Sequence, residues 1–130
     1  MSHHEHPNAT LAREMDAKMK AEGPQAMADY IADDVEWHEI GRAEPIRGKA
    51  ALVERWAGMS DMGGSFSVDL HDVIANDDHV VELVTATATM GDKTFTYRTA
   101  EIMHVRDGKI TARWAFSDDT AAINEFFAGT

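Results

Sequence analysis

A chain of 130 residues with 23 acidic against 12 basic side chains, and a formal charge of −11, fits one domain and repels nucleic-acid backbones and anionic membranes. It has no cysteine, which excludes disulfides and thiolate metal sites and leaves the redox compartment open. No apolar run approaches the ~20 residues of a membrane span, and the start MSHHEHPNAT lacks the charged and apolar stretches of a secretory signal, so the cytoplasm is the expected location.

Residues 1–9 read as a loosely ordered or disordered tail and 10–130 as a single domain. The tract His3-His4-Glu5-His6 lacks the fixed geometry of a metal site, so none is expected there. Leu11, Met15 and Met19 recur on one helical stripe, with Ala12 and Ala21 beside them. Gly23-Pro24 ends that helix and starts a short second one carrying Met27, Tyr30 and Ile31. Val35 to Ile40 reads as a strand, Gly41 to Gly48 as a loop, and Lys49 to Met59 as a third helix with Leu52, Val53 and Trp56 inward.

After Gly63-Gly64 the apolar period changes from 3.6 to 2. Phe66, Val68 and Leu70 alternate with polar residues, and the phase slips near His71-Asp72, which predicts a β-bulge. His79 to Met90, Lys93 to Arg106 and Lys109 to Ser117 follow as strands, separated by Gly91-Asp92 and Asp107-Gly108. Asp118 then caps a last helix through Phe127. The expected fold class is α+β: helices against one face of a curved antiparallel sheet, forming a cone whose interior is either filled core or pocket.

Asp107-Gly108 is a two-residue hairpin signal. It predicts Val105 facing Ile110, Met103 facing Ala112, Glu101 facing Trp114 and Thr99 facing Phe116, all on the inner face with Phe95 and Tyr97. The outer face then carries Thr96, Arg98, Ala100, Ile102, His104, Thr111, Arg113 and Ala115. Glu101 is a carboxylate among apolar and neutral neighbours, so it is expected to be paired, hydrated or protonated, with desolvation raising its pKa. A two-residue Gly91-Asp92 turn places Glu82 opposite Glu101, a longer one places Leu83 there, and the sequence leaves both open. His38 lies beside a loop, in a setting that suits a cleft wall, and can serve as base, acid or donor near neutral pH. The expected lining is Met19, Tyr30, Trp56, Met103, Trp114 and Phe116, with His38 and Glu101 as the polar, catalytic groups. The eight methionines suit a pocket that adapts to varied apolar guests.

Three stretches carry a resemblance: Ala32-Asp-Asp-Val-Glu-Trp-His38 with Gly48-Lys-Ala-Ala-Leu52, then Val105-Arg-Asp-Gly-Lys-Ile110, then Trp114-Ala-Phe-Ser-Asp118. Together they resemble the nuclear transport factor 2-like superfamily, in particular its SnoaL-like and ketosteroid-isomerase-like members, from about Thr10 to Phe127. The resemblance implies that His38 stands near the isomerases' general-base aspartate and Glu101 at the protonated acid of their oxyanion hole. Where those enzymes have a tyrosine, this chain has Asp16 or a neighbour. In SnoaL-like cyclases a carboxylate works as acid and base, and Asp118 or Glu101 would serve. Epoxide hydrolases of the superfamily carry an aspartate in the last strand, where Arg113 to Asp118 here places apolar residues. The resemblance also implies a homodimer.

Three functions fit these observations. One is a cofactor-independent isomerase, cyclase or lyase using acid–base chemistry on a carbonyl-containing apolar substrate. The others are a non-catalytic small-molecule carrier and a dimeric scaffold. The expected partners are a small apolar or aromatic molecule and a second copy of the chain, through the outer sheet face, with no nucleic acid and no membrane.

Overall fold

A computed structural model describes residues 5–60 and 64–128 of the chain. Helix α1 spans Pro7–Glu22. It begins inside the stretch expected as tail, because the His6 ring accepts from the Asn8 amide, Pro7 occupies the first turn and Ala9 is buried with Ala12 and Met15. His3, His4 and Gly63 lie outside the described residues. Pro24–Tyr30 forms a 3-10 helix, tighter than the expected α-helical turn, and delivers the chain directly into a strand.

That strand, β1, spans Ile31–Trp37 and so begins four residues before the expected Val35. The expected loop that follows contains a short strand β2, Ile46–Arg47, which pairs antiparallel with β1. Helix α2 spans Lys49–Ser60. Four long strands follow: β3 (Ser65–Ala75), β4 (His79–Met90), β5 (Lys93–Arg106) and β6 (Lys109–Ser117). Helix α3 spans Thr120–Ala128. The six strands form one sheet in the order β2-β1-β6-β5-β4-β3, with β1 parallel to β6 and every other pair antiparallel. The result is the expected α+β architecture, an open curved sheet with helices against its inner face.

Register decides which side chains meet. The β3–β4 pairing shifts between Leu70 and Asp72, so the phase slip read at His71-Asp72 is a bulge. The β4–β5 turn at Gly91-Asp92 has two residues, since Met90 pairs with Lys93, and Glu82 therefore stands opposite Glu101.

The β5–β6 hairpin departs from expectation. Its turn is tight, with φ of 52° at Asp107 and 74° at Gly108, and Val105 does face Ile110. The next partner of His104 is Ala112, so Thr111 is an extra residue and every later β6 side chain changes face. Met103 now faces Arg113, Glu101 faces Ala115 and Thr99 faces Ser117. Trp114 and Phe116, expected inward, pair with Ile102 and Ala100 on the outer face, and Phe116 is 58% exposed. Arg113, expected outside, points inward. Strict alternation of Ile110, Ala112, Trp114 and Phe116 gave a plausible apolar inner face; a single inserted residue cancelled it.

The interior holds two apolar clusters. The larger joins Ala12 and Met15 of α1, Met27 of the 3-10 helix, Val35 and Trp37 of β1, Leu52 and Trp56 of α2, and Val80, Met103 and Ile110 of the sheet. The smaller gathers Ala86, Tyr97 and Ile123, with Ile40 and Phe95 against them, where α3 lies on the inner face. Among the described residues, Glu82 and Thr99 are the buried polar ones, and both lie on the inner face of the β4–β5 pair.

Candidate functional site

Glu82 and Glu101 are cross-strand neighbours on the inner face of β4 and β5, and β6 brings Arg113 beside them. Arg113 Nη2 and Nε donate to Glu101 Oε1 at 2.7 and 3.2 Å, and Arg113 Nη1 donates to the His38 carbonyl at 2.9 Å. Its guanidinium carbon lies 4.7 Å from the centre of the Trp37 ring, which stands edge-on to Trp56. Both Arg113 donations to Glu101 thus end on one oxygen. The other, Oε2, has only a long 3.4 Å contact from the Thr99 hydroxyl. The neighbourhood expected to lack charge therefore contains a cation, and Glu101 is held as one half of an ion pair.

Glu82 is different. Its pKa is pushed up to about 8, first by burial, then by the charges of Glu101 and Asp16, with Arg113 and Arg13 opposing. At neutral pH it is a carboxylic acid, able to donate a hydrogen bond and a proton. Burial, with Glu101 adding to it, also pushes the Tyr97 phenol up to about 12. One inner surface thus carries a neutral acid, an oriented carboxylate, a guanidinium and a phenol. The Glu101 side chain remains 19% exposed and that of Arg113 12%, so the ion pair keeps partial contact with solvent. Phe66, also on the inner face opposite Ala88, is 53% exposed and makes an edge contact with Tyr97.

Of the residues singled out from sequence, Glu101 lies at this site. Met19 and Tyr30 are partly buried against the larger cluster, and Trp56 is buried within it. Met103 is buried to 1%, leaving no surface for a ligand. His38 is the main correction. Its ring stacks on Trp114 on the outer face, 5.0 Å between centres, and its Nε2 meets Glu36 at 3.1 Å. It meets Arg113 through its backbone: its carbonyl accepts from the guanidinium and its amide donates to the Arg113 carbonyl at 2.8 Å. The cause is local: Trp37 takes the inward position of β1, so the next side chain points out. Reasoning from sequence left Glu82 open and missed Arg113. An arginine between the apolar residues Ile110, Ala112, Trp114 and Phe116 of the last strand was the available signal, since a charge is seldom left there without a partner.

Outside the sheet, the convex face of β4, β5 and β6 carries Val81, Leu83, Ala100, Ile102, Trp114 and Phe116, with threonines and basic side chains, and no Asp or Glu. Among the described residues no group of three or more His, Asp and Glu converges on a point, and no helix is long and apolar enough to cross a membrane.

The architecture is an α+β fold of one open curved sheet with helices on its inner face, and a group of titratable side chains lies between its two apolar clusters. The SnoaL-like domain profile matches residues 12–113, and the chain belongs to that family. Its fold is similar to that of Bal32a from a soil-derived mobile gene cassette, at 22% identity and a TM-score of 0.81, over 92% of this chain and 95% of that one. It is also similar to TerC co-crystallised with polyporic acid, at 23% identity and a TM-score of 0.79, over 95% and 99%. A third similar structure is an LEH-like epoxide hydrolase from M. tuberculosis, at 20% identity and a TM-score of 0.75, over 95% and 94%. No curated protein sequence matches the chain.

Proposed function

We propose that this protein binds a small, largely apolar molecule bearing a carbonyl group inside the cone and moves a proton on it, as an isomerase, cyclase or lyase that needs no cofactor. The observation that supports this best is the cross-strand pair of Glu82, protonated at neutral pH, and Glu101, held by Arg113. Two carboxyl groups set apart by their surroundings supply an acid and a base within one site. Glu101 Oε2, free of Arg113, takes a proton from the carbon next to the carbonyl. Glu82 donates a hydrogen bond to the carbonyl oxygen as negative charge develops there. Return of the proton from Glu101 to another carbon completes an isomerisation. This reading replaces His38 as base and moves the acid from Glu101 to Glu82. Met19, Trp56, Tyr97 and Phe66 suit the apolar body of the substrate.

The test begins with ligand enrichment from a small-molecule extract, read by mass spectrometry, followed by exchange assays on retained compounds in deuterated water. Deuterium should enter next to a carbonyl. Glu101→Gln should slow that exchange by about 100-fold or more, the scale of a lost general base. Retention of a compound with no exchange or conversion, unchanged by Glu101→Gln, would mark the protein as a carrier.

The proposal extends to a homodimer through the convex face. In a chain of charge −11, the outer positions of three central strands hold no carboxylate, and Trp114 and Phe116 stand there among Ile102, Ala100 and Leu83. Two copies can meet on that face without the repulsion that the rest of the surface imposes.

A further inference from the structure

We infer that His79 and His104 form a two-toothed site for a divalent transition-metal ion on the outer face, at the end of the β4–β5 pair near the Asp107-Gly108 turn. The residues are direct cross-strand partners. The Val105 amide donates to the Asp78 carbonyl at 2.9 Å, so the hydrogen bonds flank this pair and do not link it. Such a non-hydrogen-bonded pair has the shorter Cα separation of the antiparallel ladder, about 4.5 Å, and brings its side chains closest. The two rings are accordingly 4.7 Å apart between centres and nearly perpendicular, at 84°.

Four further features suit this pair to an ion. Imidazole nitrogens are ligands of choice for Cu²⁺, Ni²⁺ and Zn²⁺. Among the described residues, neither ring is engaged in a hydrogen bond or ion pair, so its nitrogens are available. His104 also rests against Trp114, 4.9 Å between ring centres, which narrows the positions its ring can take. Both histidines line an open groove of about 680 Å³ with Asp78 and Asp107 nearby, so a hydrated ion has access and meets negative charge. Lys49, Arg106 and Lys109 line the same groove and oppose that attraction, Asp33 and Asp34 add to it, and the chain as a whole, at −11, attracts cations. Two protein ligands leave the remaining coordination positions to water. The pair is independent of the interior carboxylates; it stands at the end of the outer face proposed for the dimer, beside Trp114.

The test uses the full chain with His3, His4 and His6 replaced by alanine, which removes the competing histidines of the N-terminus. Cu²⁺ is titrated calorimetrically at pH 7.5, with Mg²⁺ as the oxygen-seeking control. One Cu²⁺ site per chain is expected, absent for Mg²⁺. Both His79→Ala and His104→Ala should weaken it at least about tenfold, since a lost ligand costs no less than a lost outer partner. The histidines are exposed, so the variants should fold, and circular dichroism checks that they do. Loss of all Cu²⁺ binding on replacing the N-terminal histidines would overturn the inference. So would unchanged affinity in either the His79 or the His104 variant.

Discussion

Glu82 carries a folding cost that pH reveals. Its unfolded carboxyl ionises near the ordinary 4.5, while in the folded chain it holds its proton to about 8. Below pH 4.5 both states are protonated and the full stability is present. Between the two values the unfolded chain ionises first, so stability falls as pH rises; above 8 both states are ionised and the loss levels off. At pH 7 the cost is on the order of 3 kcal/mol. Glu82→Gln should remove it. Urea denaturation should find the variant more stable than the parent at pH 7 and flatter in its pH dependence. Greater stability of the parent at pH 7 would show that Glu82 is needed as a carboxylate. Arg113 acts in the opposite sense on the same group, by lowering its pKa. Arg113→Met leaves Glu101 without its cation, costs about 3 kcal/mol, and extends the fall of stability with pH to higher pH while its onset near 4.5 stays in place, as denaturation at a series of pH values would register.

At the scale of elements, α3 depends on the loop after β1. Gly41 has φ of 77°, and a Cβ added there would lie 2.2 Å from Asn124 Oδ1 of α3. Gly41→Ala should therefore destabilise by about 1–3 kcal/mol through backbone strain and the clash together. Asn124→Ala in the same chain removes the clash and should restore part of the loss, a non-additivity that a double-mutant cycle measures. The bounds of β4, β5 and β6 and the β3 bulge were legible because turn residues and period-2 alternation are local signals. The 3-10 helix and β2 were not legible, because both depend on tertiary contacts around β1. The β6 bulge was the costly omission. Asp107-Gly108 fixes the first pair of the hairpin, but nothing in Ile110 to Phe116 announces an inserted residue. Its apolar alternation argues for the wrong face. Glu101 was legible as an anomaly; its partner Arg113 was not, because the same bulge turns it inward. Glu82 was legible up to the length of one turn.

At the scale of the molecule, the bulge that spoils the inner-face reading also assembles the aromatic patch on the outer face. Under the proposed dimer, Phe116→Asp puts a carboxylate among the outer positions of β4, β5 and β6, which have none. Light scattering at tens of micromolar should then give twice the chain mass for the parent and the single-chain mass for the variant. A parent of single-chain mass would remove the dimer from the account. Proton transfer as proposed requires an acid kept protonated beside an ion pair on the inner face of the sheet. Carbon-detected NMR titration of the intact chain, labelled at its glutamate carboxyl carbons, reads that directly. One carboxyl resonance should titrate near pH 8 and should vanish in Glu82→Gln, with the shift of a protonated acid at pH 7. A Glu82 resonance that completes its titration near pH 4.5 would contradict the account, since the interior would then hold two ionised carboxylates and no acid.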